Sequence, residues 1–219
     1  MTTEIDNLQT TKYGLALHTT TPELGLAMSS FAGVTRSHVW NLGRELSSHI
    51  HQHLIEFILP QTWSDISFLA VAKGPGGFTG TRIGVVLART LGQQLDIPVF
   101  TISTLAAIAW TEIDKIQSTT AIAVEMPAQR GQIFGAIYQL TPDGSGLTAL
   151  LPDTAFTPEA WQGTLANWHT SYQLIPATSG LASTVTSILA LAYLEWQQGK
   201  HPTWAEALPY YGQHPVDSL

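Results

Sequence analysis

Ile66-Ser67-Phe68-Leu69-Ala70-Val71-Ala72-Lys73-Gly74-Pro75-Gly76-Gly77-Phe78-Thr79-Gly80-Thr81-Arg82-Ile83-Gly84 decides how the chain is read. Its first seven residues form a short apolar run of the kind that makes a buried strand. A glycine-dense turn follows, and the chain then runs on with helical character to Leu95. A turn of this composition between strand and helix leaves backbone N–H groups bare at a helix N-terminus, where phosphates and other anions bind, and lets another chain approach closely. The two familiar glycine patterns both fail here. A dinucleotide turn needs G-x-G-x-x-G, but after Gly74 and Gly76 the third position is Thr79. A P-loop needs a lysine directly after its last glycine, and Gly80 is followed by Thr81.

Upstream, Tyr13–Leu17, Leu24–Ser29 and Val34–Trp40 read as three strands with turns at Thr21-Pro22 and Ala32-Gly33. A helix is expected from Asn41 to Leu59, ended by Pro60, because Leu42, Leu46, Ile50, Leu54, Phe57 and Ile58 keep helical spacing. Downstream of the glycine turn come a helix Thr81–Leu95, a strand Pro98–Ile102 and a helix capped by Ser103 and reaching Trp110. The second half starts again in the same way. Thr120–Val124, Ile133–Tyr138 and Leu147–Leu151 read as strands, Thr157-Pro158-Glu159 opens a helix to Asn167, Tyr172–Ile175 is a strand, and Leu181–Gln198 is a helix. Two βββαβα units predict a duplicated α/β fold of two packed subdomains, 13–111 and 112–219, preceded by a flexible leader, 1–12.

Composition narrows the function classes. Charged residues are only 11 % of the chain and the formal net charge is −7. Nine Lys and Arg in all argue against a protein that grips nucleic acid by itself. The absence of cysteine excludes disulfides and thiolate metal sites. No apolar run reaches the ~18 residues of a membrane span, and the polar first dozen residues are no signal peptide, so a soluble cytoplasmic protein is expected. Seven Trp and many uncharged polar residues stand where surface charges usually do, which points to a standing partner.

With this element order in view, the chain resembles the actin-like ATPase superfamily (ribonuclease H-like units), in which two such units flank a nucleotide cleft. More narrowly it is similar to the TsaB (YeaZ) family, subunits of the bacterial machinery that makes threonylcarbamoyladenosine in tRNA. The family's Gly-Pro-Gly-Ser-Phe-Thr-Gly-x-Arg-Ile-Gly stretch matches Gly74–Gly84, with Gly77 in the serine place. Ser64-Asp65-Ile66, Ile97-Pro98-Val99, Ile102-Ser103-Thr104-Leu105 and Leu208-Pro209-Tyr210-Tyr211 also fit. Two departures matter. His18-Thr19-Thr20-Thr21 stands where the family has Asp-Thr-Ser-Thr, and Pro127-Ala128-Gln129 stands where it has Asp-Ala-Arg. Phosphoryl transfer needs acidic groups to hold Mg²⁺ against the phosphates. The resemblance therefore implies a non-catalytic scaffold and dimerisation subunit of the threonylcarbamoyladenosine complex. It would dock a TsaD-type catalytic subunit through a helical bundle, with a TsaE-type ATPase alongside and tRNA met only indirectly. It would form a homodimer when isolated and hold no tight cofactor, ATP and Mg²⁺ entering only at the level of the complex. The rival readings are an active sugar- or acetate-kinase-like phosphotransferase, which needs a carboxylate where His18 stands, and a glycoprotease-like hydrolase.

Candidate residues follow from both arguments. Thr19, Thr20, Gly74, Gly76, Gly77 and Thr79 are the expected anion or nucleotide contacts; Thr79 alternatively caps its own helix. Gly80, Gly84, Ala88 and Gly92 recur every fourth residue, and a stripe without side chains lets a backbone come close. That stripe is read as a subunit interface comprising Gly84, Val85, Ala88, Arg89 and Gly92, shared with Ile50, His53, Leu54 and Phe57 of the preceding helix; the other reading is close packing inside the chain. His49 and His53, four apart, have the spacing of a zinc-binding helix but lack a third ligand nearby, so no metal is expected and an uncharged helix face against a neighbour is. Glu125 and Glu195 have no paired acid and are read as structural or solvated.

Overall fold

The computed structural model describes residues 12–177 and 179–213. The expected leader falls almost wholly outside these residues; Lys12 is described, and its ammonium donates to the Ser64 carbonyl at 2.9 Å.

The first unit is built from β1 (Tyr13–His18), β2 (Glu23–Ser29), β3 (Thr35–Asn41), α1 (Leu46–Ile58), β4 (Ile66–Ala72), α2 (Phe78–Leu95), β5 (Val99–Ile102) and α3 (Thr104–Thr111). Its sheet runs β3-β2-β1-β4-β5, antiparallel among the first three strands and parallel from β1 to β5. Strands β1 and β4 sit in the middle and are buried on both faces, which is why they read as continuous apolar runs. The second unit repeats the order with β6 (Ala121–Pro127), β7 (Ile133–Leu140), β8 (Leu147–Phe156), α4 (Pro158–Ala166), β9 (Tyr172–Pro176) and α5 (Val185–Gln197). Its sheet runs β8-β7-β6-β9, with β9 parallel to β6. It stops one strand short of the first. This is the duplicated α/β architecture that the element order predicts.

The strands of the first sheet end at Ile102 and those of the second begin at Ala121, but the helices covering the sheets are not divided in the same way. Val185, Ile188, Leu189, Leu191 and Ala192 of α5 pack on the first sheet, against Ala16, Ala27, Phe68 and Phe100. Leu105, Ile108 and Ala109 of α3 pack on the second sheet, against Ile122, Val124, Phe134 and Tyr138. The two helices therefore lie between the lobes, each serving the other half's sheet. On the outer face of the first sheet, α1 and α2 cover Leu15, Leu17, Leu69 and Val71. Leu46, Ile50, Leu54 and Ile58 form the buried stripe of α1 at four-residue spacing, each contributing about 1.5–3 kcal/mol by burial.

Helix boundaries differ from the sequence expectation at three starts. Asn41 ends β3 by pairing with Glu23, and a 3₁₀ turn at Gly43–Glu45 precedes α1. α2 begins at Phe78 rather than Thr81, because Gly77 already has the extended backbone of a cap position. α5 begins at Val185, after a 3₁₀ turn over Leu181–Thr184. Ser103 does cap α3, its hydroxyl accepting from the Leu105 and Ala106 amides at 3.0 and 3.1 Å. Among the described residues no helix is long and apolar enough to cross a membrane.

Candidate functional site

A cleft of about 1050 Å³ opens between the lobes. One wall is the β1–β2 turn and the glycine turn, with Thr19, Thr20, Thr21, Gly76, Gly77, Thr79 and Gly80; the opposite wall is the end of β6, with Met126, Pro127, Ala128 and Gln129. Five of the six expected anion contacts thus come together there. Gly74 does not line it.

The glycines of the turn are explained by chain-on-chain contact. A Cβ on Gly74, which has φ +101°, would collide with the Tyr210 carbonyl oxygen, one on Gly76 with the Thr20 carbonyl, and one on Gly80 with the Thr19 carbonyl. The turn is also spoken for in its hydrogen bonds. Gly77 N–H donates to Thr20 O at 2.7 Å, and the Thr19 hydroxyl donates to Gly80 O at 2.8 Å. Thr19 and Thr20 are fully buried or nearly so, with Thr20 Oγ1 3.3 Å from Thr104 Oγ1. Thr79 does not cap α2: the cap position is Gly77, without a side-chain hydrogen bond, and Thr79 lies exposed in the first turn.

His18 occupies the end of β1, where a carboxylate would be needed for a metal–nucleotide site. Its side chain is wholly buried and is absent from the cleft lining. Nε2 lies 3.5 Å from Thr20 Oγ1 and Nδ1 has no partner. Burial pushes its pKa down to about 3, so the ring is neutral. Among the described residues the cleft lining carries no Asp or Glu at all; Arg44 is its one formal charge.

The small-residue stripe of α2 requires a correction. Gly84, Val85, Ala88 and Gly92 are buried within the chain, as are Ile50 and Leu54 of α1, so none of them presents a docking surface. The physical reason is how closely α2 lies on its own sheet. A Cβ on Gly84 would strike the Thr19 hydroxyl, and one on Gly92 would strike Val99 Cγ2. His53, Phe57 and Arg89 are partly exposed. The outward faces carry other residues: Ile55 and Leu59 on and just past α1, and Val86 on α2, are 57 %, 62 % and 53 % exposed, whereas Phe78 at the start of α2 lines the cleft.

The remaining singled-out groups resolve into local roles. His53 stacks on Trp40 of β3 at 4.7 Å rather than on another helix, and His49 Nδ1 lies 3.2 Å from the Glu45 carbonyl. No three metal-binding side chains converge among the described residues. Glu125 accepts from the Trp161 indole at 2.6 Å, and Glu195 lies 3.8 Å from Lys200. Sequence reasoning missed a polar network joining the lobes. Tyr138 donates to Asp153 through a short hydrogen bond, Ser103 Oγ lies 3.2 Å from the Tyr138 hydroxyl, and Tyr210 donates to the Asp153 carbonyl at 2.5 Å. Burial, above all, raises the pKa of both Asp153 and Tyr138. Partners 35 and 57 residues apart leave no local spacing by which to find them.

Two βββαβα lobes facing each other across a cleft, with helices exchanged between them, make up an actin-like fold. Comparison with known proteins agrees. The family model described as "TsaD: tRNA N6-adenosine threonylcarbamoyltransferase" matches residues 41–163, over half of the chain. The tRNA threonylcarbamoyladenosine biosynthesis protein TsaB of Bacillus subtilis (strain 168) is 35 % identical over 130 residues, covering 57 % of this chain and 54 % of that one. The protein of the same name from Escherichia coli (strain K12) is 30 % identical over 132 residues, covering 59 % and 56 %. The chain spans about half the length of the curated relatives it matches. The solved structure of YeaZ from Pseudomonas aeruginosa superposes with a TM-score of 0.72 at 21 % identity, covering 91 % of this chain and 99 % of that chain, a likeness of fold. The chain belongs to the TsaD family, within its TsaB (YeaZ) branch.

Proposed function

We propose that this chain is a non-catalytic subunit of the machinery that makes threonylcarbamoyladenosine in tRNA, acting by docking a TsaD-type catalytic subunit. The observation that carries the reading is a cleft of nucleotide-holding size whose described lining has no carboxylate, with a buried neutral His18 in the acid's place. A Mg²⁺–triphosphate needs such oxygen ligands. ATP and Mg²⁺ enter, on this reading, only in the assembled complex, together with a TsaE-type ATPase, and tRNA is met through the partner, since a chain of net charge −7 has little to offer phosphates. The docking surface is the outward ridge of α1 and α2, with Ile55, Leu59 and Val86, in place of the buried stripe. Large apolar side chains on two neighbouring helices are what a helical bundle covers. The same ridge serves self-pairing when the partner is absent, and the assembly works in the cytoplasm.

The test is to mix the purified chain with a TsaD-type subunit and follow the mass by light scattering, with Val86→Asp as the control. A complex formed by the wild type and lost in the folded variant is the expected result. No complex at micromolar concentration overturns the docking role. Multiple turnovers of ATP by the chain alone, above a buffer blank, overturn the non-catalytic role in favour of the phosphotransferase reading.

A further inference from the structure

The last described stretch, Trp204–Gln213, touches both lobes in turn. Its start is fixed to α2 of the first lobe. The Arg89 guanidinium lies 5.8 Å from the Trp204 ring and donates to the Ala207 carbonyl at 3.4 Å, and Ala207 is buried. The stretch then crosses the glycine turn, where Tyr210 N–H donates to Lys73 O at 2.7 Å and the Tyr210 carbonyl fills the space that Gly74 leaves by lacking a side chain. Beyond that point it holds the second lobe. The Tyr210 hydroxyl reaches the Asp153 carbonyl, Gly212 lies against Phe134, and the Gln213 amide donates to the Gln129 carbonyl at 3.1 Å and to Gln132 by a shorter bond. Tyr211 returns to the first lobe, its ring 4.4 Å from that of Phe78. Phe78, Gln129, Tyr211 and Gln213 all stand in the cleft wall.

We propose that residues 208–213 form a clasp that sets the angle between the two lobes, so that the cleft opens only when the clasp lets go. The lobes are joined at the back by α3 and α5, which can act as a pivot, and across the cleft by this segment. Its bonds are those of a releasable element. Leu208 is 60 % exposed and Pro209–Gln213 are only half-buried, so the segment holds by a few hydrogen bonds and one ring contact instead of a deep apolar anchor. Each such bond is individually weak, and segments held this way detach well below the free energy of global unfolding. Ala207, buried at the root, marks where detachment stops.

The experiment is amide hydrogen exchange on the isolated chain, which needs no partner and so stands apart from the docking reading. In the combined variant Tyr211→Ala, Gln213→Ala, the amides of residues 76–81 and 127–134 should exchange at least tenfold faster than in the wild type, while those of β1 and β4 keep their protection. Unchanged exchange in both segments of a folded variant overturns the clasp, and so does an equal loss of protection everywhere, which would make 208–213 an ordinary part of the core. Because the chain has no cysteine, a second variant, Gln129→Cys with Gln213→Cys joined by a short bis-maleimide, tests the converse. The joined protein should exchange more slowly than the wild type in the same two segments, and a joined protein that does not is equally fatal to the proposal.

Discussion

Replacing His18 by leucine should change how stability depends on pH. The ring is wholly buried, its Nδ1 has no partner, and burial holds its pKa at about 3 against an ordinary 6.5. In the folded chain the imidazole stays neutral through the range in which the unfolded chain takes up a proton. Between pH 6.5 and 3 the unfolded state therefore binds more protons, and stability falls as pH falls. At about 1.4 kcal/mol per pH unit, the loss amounts to roughly 2 kcal/mol by pH 5 and about 4 kcal/mol by pH 3. Above pH 7 the group contributes no pH dependence. Asp153 acts in the opposite sense: with its folded pKa raised by burial, stability rises as pH falls through that pKa. The informative quantity is therefore the difference between wild type and His18→Leu, in which the Asp153 contribution cancels. Urea unfolding at pH 7.5, 6.0 and 5.0 gives it directly. The wild type should lose about 2 kcal/mol more than the variant over this range. Parallel profiles would show that His18 is hydrated or partnered, and the account of why it fills the acid's place would fail.

Three other outcomes follow from the packing. Gly84→Val should destabilise the chain by about 1–3 kcal/mol, since its Cβ collides with Thr19, whereas Val86→Asp on the outward face of the same helix should stay within about 0.5 kcal/mol of the wild type; chemical denaturation separates the two. Ser103→Ala removes the hydroxyl that accepts two amides at the start of α3, and should cost about 1 kcal/mol in the same assay. Trp161→Phe keeps the buried ring but strands the Glu125 carboxylate, with an expected loss of about 1–3 kcal/mol that Glu125→Gln in the same background should partly restore.

How much of this was legible in the chain itself varies from element to element. β4 runs over Ile66–Ala72 as its mostly apolar run predicts, and Ser103 caps α3, because strand burial and helix capping are decided by neighbours within a few residues. The stripe on α2 shows the limit. Small residues at every fourth position announce that something comes close, but spacing is silent on what it is. The neighbour is Thr19 on the chain's own β1–β2 turn, 65 positions before Gly84, and only the packed structure places it there. The glycine turn carries the same ambiguity: bare amides for an anion and room for another chain require the same residues, and Tyr210 and Thr20 take the room.

The sequence by itself determined the two βββαβα units, the turn between β4 and α2, and the lack of an acid at position 18, since periodicity, glycine and residue identity are local properties. Tertiary structure alone decided that α3 and α5 exchange sheets, that the stripe faces inward, and that Tyr210 bridges Lys73 and Asp153. The physical reason is that each of these depends on which apolar faces are left uncovered once both sheets have formed, and burial of that kind is settled by the whole chain at once.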